Sequence, residues 1–258
     1  MAVNTCHAGG RPPPADSLPR RARGGDRGEG SRLTHGLRAG SIRGKVVVLQ
    51  DLRNMGKLAL EKGDTAVLIT DPQNDFLSEG GVAWKDLGER VKETKVVEHL
   101  VQIREAAKAA GIPVFYSPHY YTDEEYESWQ HLNAIDRMMF ENKMFRVGGW
   151  GAEFHPDLEP DENTIVLHSH KGASNFWTGD TALQFRERGI QKVVLAGMSA
   201  NICTESHLRD AAENGFDVIV VKDATTGITP EATQAAYTNY EFFAEEVVTT
   251  DEILDRLK

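Results

Sequence analysis

Short apolar runs alternate with amphipathic segments along most of the chain after residue 64. Runs rich in Val, Ile and Leu predict buried strands, whereas apolar positions recurring three or four residues apart predict helices. The predicted strands cover residues 66–71, 113–117, 164–167, 192–196, 217–221 and 246–249. The predicted helices cover residues 87–110, 180–188, 203–214, 230–243 and 251–257. This alternation is typical of an α/β protein, with a parallel sheet covered by helices on both faces.

The N-terminal segment differs in composition from the rest of the chain. Residues 1–45 carry nine Lys or Arg and three Asp or Glu, a charge of +6, so a net charge of -10 leaves -16 for the remainder. We expect residues 1–44 to be a disordered Arg/Gly/Pro-rich extension, residues 45–64 a lead-in segment, and residues 65–258 one globular domain. The arginines also resemble an organellar transit peptide, but the glycines and acidic residues fit that interpretation poorly.

Charge and cysteine usage restrict the class of partner. A domain this acidic is not expected to bind nucleic acid, and no apolar run reaches the length that a membrane span requires. The two cysteines, Cys6 and Cys203, do not make a disulfide framework, which favours a reducing compartment such as the cytoplasm.

A cysteine and an aspartate lie where predicted strands end. Cys203 begins the helix after the strand at 192–196, so we expect its thiol at the positive end of a helix dipole, which lowers a thiol pKa. Asp71 ends the first strand, and no Gly-x-Gly-x-x-Gly follows it, which disfavours a nicotinamide dinucleotide site. The structural alternatives are a small buried side chain for Cys203 and a turn or helix cap for Asp71.

Three motifs in order resemble the isochorismatase-like cysteine hydrolase family. They are Asp71-x-Gln-Asn-Asp-Phe, a lysine at Lys171 followed by Ser-x-Phe, and Gly197-x-x-x-Asn-x-Cys203. The resemblance covers about residues 65–257 and implies a three-layer, Rossmann-like sandwich with about six parallel strands. It makes residues 65–258 an isochorismatase-like hydrolase domain whose relatives use an Asp-Lys-Cys triad.

The resemblance also implies roles for individual residues. Cys203 is the expected nucleophile and Asp71 the expected general base, since a carboxylate near a thiol can serve both proton transfers of acyl transfer. The backbone N–H groups of Ser199 and Cys203 match the oxyanion hole of the family. The peptide bond that corresponds to Met198–Ser199 is cis in relatives, and we predict the same here.

The third member of the triad is open between Lys171 and His170. Relatives usually place three residues between the triad lysine and the serine of Ser-x-Phe, but Lys171 is separated from Ser174 by only two. Counting back from Ser174 therefore reaches His170. We prefer Lys171, because a lysine is a permanent cation and a shift of one residue beside Gly172 is easily absorbed.

Further side chains flank the predicted rim of the site. The candidates for substrate binding are Phe76, His119, Tyr121, Trp150, His170 and Trp177. Aromatic rings there would suit a planar or apolar acyl group, although core or interface positions are equally compatible with them. Ser117-Pro118-His119 retains one histidine of a zinc motif found in some relatives but lacks its carboxylate, so we expect no metal and no organic cofactor. His207 is expected to be a satisfied buried histidine.

The sequence therefore predicts cysteine-dependent hydrolysis of a C–N bond in a small amide or carbamoyl compound through a thioester intermediate. We expect a cytoplasmic homo-oligomer, a dimer or tetramer, that acts on a small-molecule amide without a nucleic-acid or membrane partner. One alternative is vinyl-ether hydrolysis of the isochorismatase kind, which needs the Asp71 acid and no nucleophilic cysteine. The other is a non-catalytic member of the fold.

Overall fold

The computed structural model describes residues 57–258. The predicted extension at 1–44 and most of the lead-in segment lie outside this range. Six strands form one sheet: β1 Thr65–Thr70, β2 Val114–Ser117, β3 Thr164–Val166, β4 Lys192–Gly197, β5 Asp217–Val221 and β6 Glu246–Val248. All neighbouring strands are parallel, in the order β3-β2-β1-β4-β5-β6. The prediction of an α/β fold with six parallel strands is confirmed.

Helices alternate with these strands along the chain. They are α1 Asn74–Leu77, α2 Trp84–Thr94, α3 Val96–Ala109, α4 Asp123–Ser128, α5 Ala134–Glu141, α6 Asn175–Thr178, α7 Thr181–Glu187, α8 Glu205–Glu213, α9 Pro230–Phe243 and α10 Thr250–Arg256. None of these helices combines the length and the apolar character that a membrane crossing requires.

The core consists of two apolar layers, one on each face of the sheet. Successive side chains of a strand point to opposite faces, so Val67 and Ile69 of β1 pack with α2, α3 and α10. Ala66 and Leu68 enter the other layer and pack with α7, α8 and α9. The sheet is therefore buried on both faces, as the continuous apolar strands predicted.

Two predicted elements differ from the structure. The helix predicted at 87–110 is divided into α2 and α3, because Lys95 adopts a left-handed conformation with φ of 50°. The sequence carries no glycine or proline there to indicate the break. Residues 118–163, between the second and third predicted strands, have no predicted element; they contain α4 and α5 together with 3₁₀ turns at Trp150–Ala152 and Pro156–Leu158.

The fold brings the carboxyl ends of four strands together on one side of the sheet, which we call its edge. Since all six strands run in parallel, the residues after β1, β2, β3 and β4 emerge on the same side of the sheet. Asp71 follows β1, His119 follows β2, His170 follows β3, and Cys203 follows β4. The candidate chemistry lies along this edge.

Candidate active site

The Asp71 carboxylate lies at the centre of the edge and is fully buried. Its backbone N–H donates to the Ser117 carbonyl at 3.0 Å, which fixes the residue at the end of β1 in a left-handed conformation with φ of 46°. Its Oδ1 lies 2.8 Å from His170 Nε2. Its Oδ2 is buried and has no hydrogen-bond partner within residues 57–258. One carboxylate oxygen is thus occupied, and the other is free to accept a proton.

Cys203 lies in a π-helical turn, Ala200–Thr204, that connects β4 to α8. The turn begins directly after the Met198–Ser199 peptide bond, which is cis as predicted. Gly197 brings this connection close to β1: a Cβ at this position would lie 2.2 Å from the Thr70 carbonyl oxygen. The thiol is consequently held beside the residue that follows Thr70, Asp71.

The electrostatic surroundings of the thiol differ from the sequence-based expectation. Burial raises the pKa of Cys203 well above its ordinary value, the charge of Asp71 raises it further, and the Ser199 backbone N–H acts in the opposite direction. The expected lowering of this pKa by a helix dipole is therefore wrong. The cysteine is only 4% exposed and precedes α8 rather than beginning it, so loss of hydration outweighs the dipole.

The two candidates for the third triad position point in opposite directions. His170 is fully buried against Asp71, and its backbone N–H donates to the Pro118 carbonyl at 2.9 Å. Lys171 Nζ instead donates to Glu125 Oε2 at 2.6 Å and to the Tyr120 carbonyl at 2.5 Å. The preference for Lys171 is not matched by this geometry, because neighbouring side chains of an extended segment face opposite sides.

The hydrogen bonds of His170 fix the orientation of its ring. Nδ1 lies 3.1 Å from the Gly172 carbonyl oxygen, which can only accept, so Nδ1 carries a proton. Nε2 faces the Asp71 carboxylate, which accepts when ionised. The ring is therefore held between the Gly172 carbonyl and the Asp71 carboxylate. His170 thereby occupies, next to the carboxylate, the place expected of a lysine.

His119 is a buried imidazole with no hydrogen-bond partner for its ring. Within the described part of the chain, neither Nδ1 nor Nε2 has one, although the residue is only 1% exposed. Its ring stacks on Phe145 with centroids 5.0 Å apart and lies 4.4 Å from the His170 ring. Burial lowers the pKa of His119 well below its usual value, and the positive charge of His170 adds to the effect. A neutral imidazole therefore borders the site.

His207 forms a hydrogen bond with the backbone of Cys203, and both of its ring nitrogens have hydrogen-bond partners. Nδ1 donates to the Cys203 carbonyl at 2.7 Å, and Nε2 accepts from the Asn175 backbone N–H at 3.1 Å and from the Ser117 hydroxyl at 3.0 Å. Burial, together with the charge of His170, lowers the pKa of His207 to about 3. The expected role as a satisfied buried histidine agrees with this geometry.

A cavity of about 80 Å³ opens onto Cys203. Of the six predicted substrate-binding residues, Phe76 and His119 line it. Tyr121 and His170 are buried beside it, while Trp150 is 49% and Trp177 84% exposed and neither is part of the lining. The remaining walls are mainly apolar; further lining residues are Val82, Leu87, Ile135, Met138, Met139, Met144, Ile202 and Ile228. Sequence reasoning missed these residues, because most lie in α2 and in the irregular stretch around α5.

The first motif also contains positioning residues that sequence reasoning did not assign. Gln73 accepts from the His119 backbone N–H at 2.8 Å, and its Nε2 donates to the carbonyls of His119 at 3.0 Å and Ala152 at 2.7 Å. Asp75 Oδ2 accepts from the Phe145 backbone N–H at 2.6 Å. These side chains fix both the backbone of His119 and the ring on which it stacks, so part of this motif holds the walls of the cavity.

A buried thiol thus lies beside a carboxylate at the strand ends of a parallel three-layer sandwich of the α/β class. The family model for the isochorismatase domain matches residues 65–252. This chain belongs to the isochorismatase family and is a hydrolase. The prediction of the family is confirmed.

Relatives whose names state an activity are similar in sequence over most of the domain. The ureidoacrylate amidohydrolase RutB of Pseudomonas syringae pv. syringae is 32% identical over 209 residues, which covers 76% of this chain and 84% of that protein. The protein of the same name from Caulobacter segnis is 32% identical over 201 residues, covering 72% of this chain and 82% of its own.

Solved structures show the same fold. A cysteine hydrolase from Pseudomonas syringae pv. phaseolicola superposes with a TM-score of 0.65 at 20% identity, covering 78% of this chain and 95% of its own. The N-carbamoylsarcosine amidase from Thermoplasma acidophilum gives a TM-score of 0.56 at 25% identity, covering 73% of this chain and 97% of its own.

Proposed function

We propose that this hydrolase cleaves a C–N bond in a small amide or carbamoyl compound through a thioester on Cys203, with Asp71 as general base and acid. The observation that carries the proposal is the carboxylate beside the thiol: an oxygen of Asp71 and the sulfur of Cys203 lie within 4.8 Å of each other. The amidohydrolase names of the relatives support the choice of bond.

The first half-reaction begins from a neutral thiol. As Sγ of Cys203 attacks the carbonyl carbon, its proton passes to Asp71, whose Oδ2 has no other hydrogen-bond partner in the described structure. The negative charge that develops on the carbonyl oxygen is stabilised by the backbone N–H groups of Ser199 and Cys203. Asp71 then gives the proton to the leaving nitrogen, the C–N bond breaks, and an amine or ammonia departs.

The second half-reaction restores the thiol. Asp71 accepts a proton from a water molecule that attacks the thioester carbonyl, and the C–S bond then breaks with return of that proton to the sulfur of Cys203. An amide releases a carboxylic acid in this step, whereas a carbamoyl compound releases carbamic acid. No further reactant is required.

His170 completes the group in place of Lys171. Its ring donates from Nε2 to Asp71 Oδ1, which orients the carboxylate and stabilises its charge in a buried site. The Gly172 carbonyl holds the other nitrogen and so fixes the ring plane. Lys171 binds Glu125 of α4 instead of the Asp71 carboxylate, so we assign it a structural role.

The cavity restricts the substrate to small molecules. Its volume of about 80 Å³ suits a small molecule rather than a polymer. Apolar walls from Phe76 and Met139 would contact the acyl or ureido chain, while His119 offers a neutral nitrogen for a polar atom. A short carbamoyl or ureido compound, the class that the relatives' names describe, meets these conditions.

The test is an ammonia-release screen over short amides and ureido compounds. Wild-type protein should act on at least one of them, and Cys203→Ala should lose at least about a thousandfold in kcat/KM. Cys6→Ser, which removes the other thiol of the chain, is the matched control and should retain activity. Release of ammonia by Cys203→Ala at the wild-type rate would contradict the thioester route.

The same variants separate the alternatives. Vinyl-ether hydrolysis needs an acid and no nucleophilic thiol, so Cys203→Ala would spare it while Asp71→Asn would impair it. A non-catalytic member of the fold would release nothing from any compound in either form.

We further propose a cytoplasmic protein that forms a homo-oligomer, a dimer or tetramer, and has no nucleic-acid or membrane partner. The net charge of -10 supports the absence of a nucleic-acid partner. The absence of a cysteine framework in the sequence supports the cytoplasmic location. Size-exclusion chromatography with light scattering tests the oligomeric state.

A further inference from the structure

We propose that Cys203 Sγ, a ring nitrogen of His119 and the free oxygen of Asp71 form a binding site for a thiophilic divalent cation of the zinc type, which blocks the nucleophile when bound. The inhibition rests on the proposed role of Cys203 in catalysis. The binding itself does not.

The geometry brings three donor atoms to one point. One ligand atom from each of Asp71, His119 and Cys203 lies within 4.8 Å of the others. Two ligands of one tetrahedral zinc ion, each 2.0–2.3 Å from the metal, are themselves about 3.3–3.8 Å apart. Side-chain movements of up to about 1 Å therefore close the cluster around an ion.

Unsatisfied atoms point to a ligand at this place. Both ring nitrogens of His119 and Oδ2 of Asp71 are buried and have no hydrogen-bond partner among residues 57–258. Buried polar atoms in native proteins are nearly always paired, because an unpaired one costs about 1–3 kcal/mol. One nitrogen of His119 and one oxygen of Asp71 lie within 4.8 Å of the Cys203 sulfur, and a cation bound between them would give both a partner.

The donor set selects the kind of cation. A thiolate, an imidazole and a carboxylate are the three ligand types that zinc binds, whereas magnesium and calcium prefer oxygen alone. A histidine binds a metal through its neutral form. The thiol gives its proton to solvent as the Cys203 sulfur binds the metal, so each ion bound releases one proton.

Three protein ligands leave one coordination position, which faces the cavity that Cys203 and His119 line. A metal here would hold the sulfur lone pair that attacks the carbonyl and the Asp71 oxygen that accepts the thiol proton. Hydrolysis and metal binding then exclude each other. The site would make the enzyme sensitive to free zinc without using zinc in catalysis.

Cobalt is the spectroscopic probe for this site, because a cysteine-bound Co²⁺ ion shows a sulfur-to-metal charge-transfer band. The protein is full-length, free of any histidine tag, and carries Cys6→Ser so that Cys203 is its single thiol. We expect the band to saturate at one Co²⁺ per chain and to be displaced by Zn²⁺. Cys203→Ser should abolish it.

The remaining ligands are tested by substitution. His119→Gln and Asp71→Asn should each weaken Co²⁺ binding at least about tenfold, since even outer-shell partners contribute that much. His168→Gln is the matched control, because His168 is exposed and lies outside the cavity, and it should bind as the wild type does. If a variant does not fold, protection of wild-type Cys203 from iodoacetamide by Zn²⁺ provides a second measurement.

The outcomes separate this proposal from the enzymatic one. Absence of a charge-transfer band in an active wild-type protein would overturn the metal site and leave the hydrolase intact. A charge-transfer band in a protein that hydrolyses none of the amides would support the metal site and contradict the proposed hydrolysis. Equal Co²⁺ affinity in the wild type and His119→Gln would show that the metal binds the thiol alone, which also refutes the three-residue site.

Discussion

Acidification should destabilise this protein through His207, by an amount that follows from its surroundings. The folded ring is neutral: Nδ1 donates to the Cys203 carbonyl, and Nε2 accepts from the Asn175 N–H. Burial, then the charge of His170, lowers its pKa to about 3. A second proton would have to be placed on Nε2, directly opposite a donor that already points at it.

The sign and size follow from linkage. In the unfolded chain a histidine binds its proton with a pKa of about 6.5, so the unfolded state takes up the proton first as the pH falls. The stabilisation due to the neutral ring is therefore present above pH 6.5 and declines steadily between 6.5 and about 3. At pH 5 the unfolded state has gained roughly 1.5 pH units at 1.36 kcal/mol each, a loss of about 2 kcal/mol relative to pH 7.

Urea unfolding at pH 7 and pH 5 measures this loss. Each protein is compared with itself at the two pH values, so a general loss of stability from a substitution cancels. His207→Gln should lose about 2 kcal/mol less than the wild type does between the two pH values, because the titrating ring is gone. His119, whose pKa is also lowered by burial, remains in both proteins and keeps part of the acid sensitivity.

The control for this experiment is His168→Gln, which changes an exposed ring that solvent surrounds in both states. Its pH dependence should parallel that of the wild type. His207→Asn serves as the second variant if the glutamine does not fold. Parallel curves for His207→Gln and the wild type would refute the argument, because they would show that the buried ring takes up its proton as readily as an unfolded one.

Three further predictions concern the edge of the sheet. Lys171→Met should stay within about tenfold of wild-type kcat/KM in the ammonia assay, whereas His170→Gln should lose at least about a hundredfold; the opposite order would restore the lysine to the triad. Asp71→Asn should abolish hydrolysis but accelerate iodoacetamide alkylation of Cys203 at neutral pH, because the carboxylate charge that raises the thiol pKa is removed. Gly197→Ala should lower stability by more than about 2 kcal/mol in urea unfolding, because its Cβ would overlap the backbone of β1 at a φ of 114°.

The strands and the site-bearing strand ends were predictable because both depend on local signals. Continuous Val- and Ile-rich runs predict strands that are buried on two faces, and parallel strands place the residues that follow them on one side. Asp71 and Cys203 could therefore be expected at one edge from the sequence alone. The family, the fold and the hydrolase class, all predicted from the motifs, are confirmed.

The choice between His170 and Lys171 could not be made by chemistry alone. It depends on which of two adjacent side chains faces the sheet edge, and that is decided by the backbone hydrogen bond from His170 to Pro118. The count back from Ser174 gave the position that the structure brings to Asp71. The preference for a permanent cation indicated Lys171, whose side chain points away from Asp71.

The residues that line the cavity were harder still to predict from the sequence. Met138 and Met139 lie on the short helix α5, and nothing in their spacing indicates that they line a cavity rather than a core. Trp150 and Trp177 have the ring chemistry expected of a binding site, but tertiary packing leaves both at the surface. Aromatic character identified side chains suited to a pocket, whereas position in the fold determined which of them line one.

A resting thiol with a raised pKa is consistent with the proposed reaction. A thiolate at Cys203 would lie beside the Asp71 carboxylate in a buried site, and two neighbouring negative charges would repel each other with little water to screen them. The hydrogen bond between Asp71 and His170 stabilises the carboxylate charge, so the negative charge stays on the base while the nucleophile stays neutral. The proton then moves only when a substrate carbonyl is present to receive the electron pair of the sulfur. Such a site depends on the position of its base rather than on a permanently activated nucleophile, and it keeps the thiolate, the form attacked by oxidants and alkylating agents, scarce between turnovers.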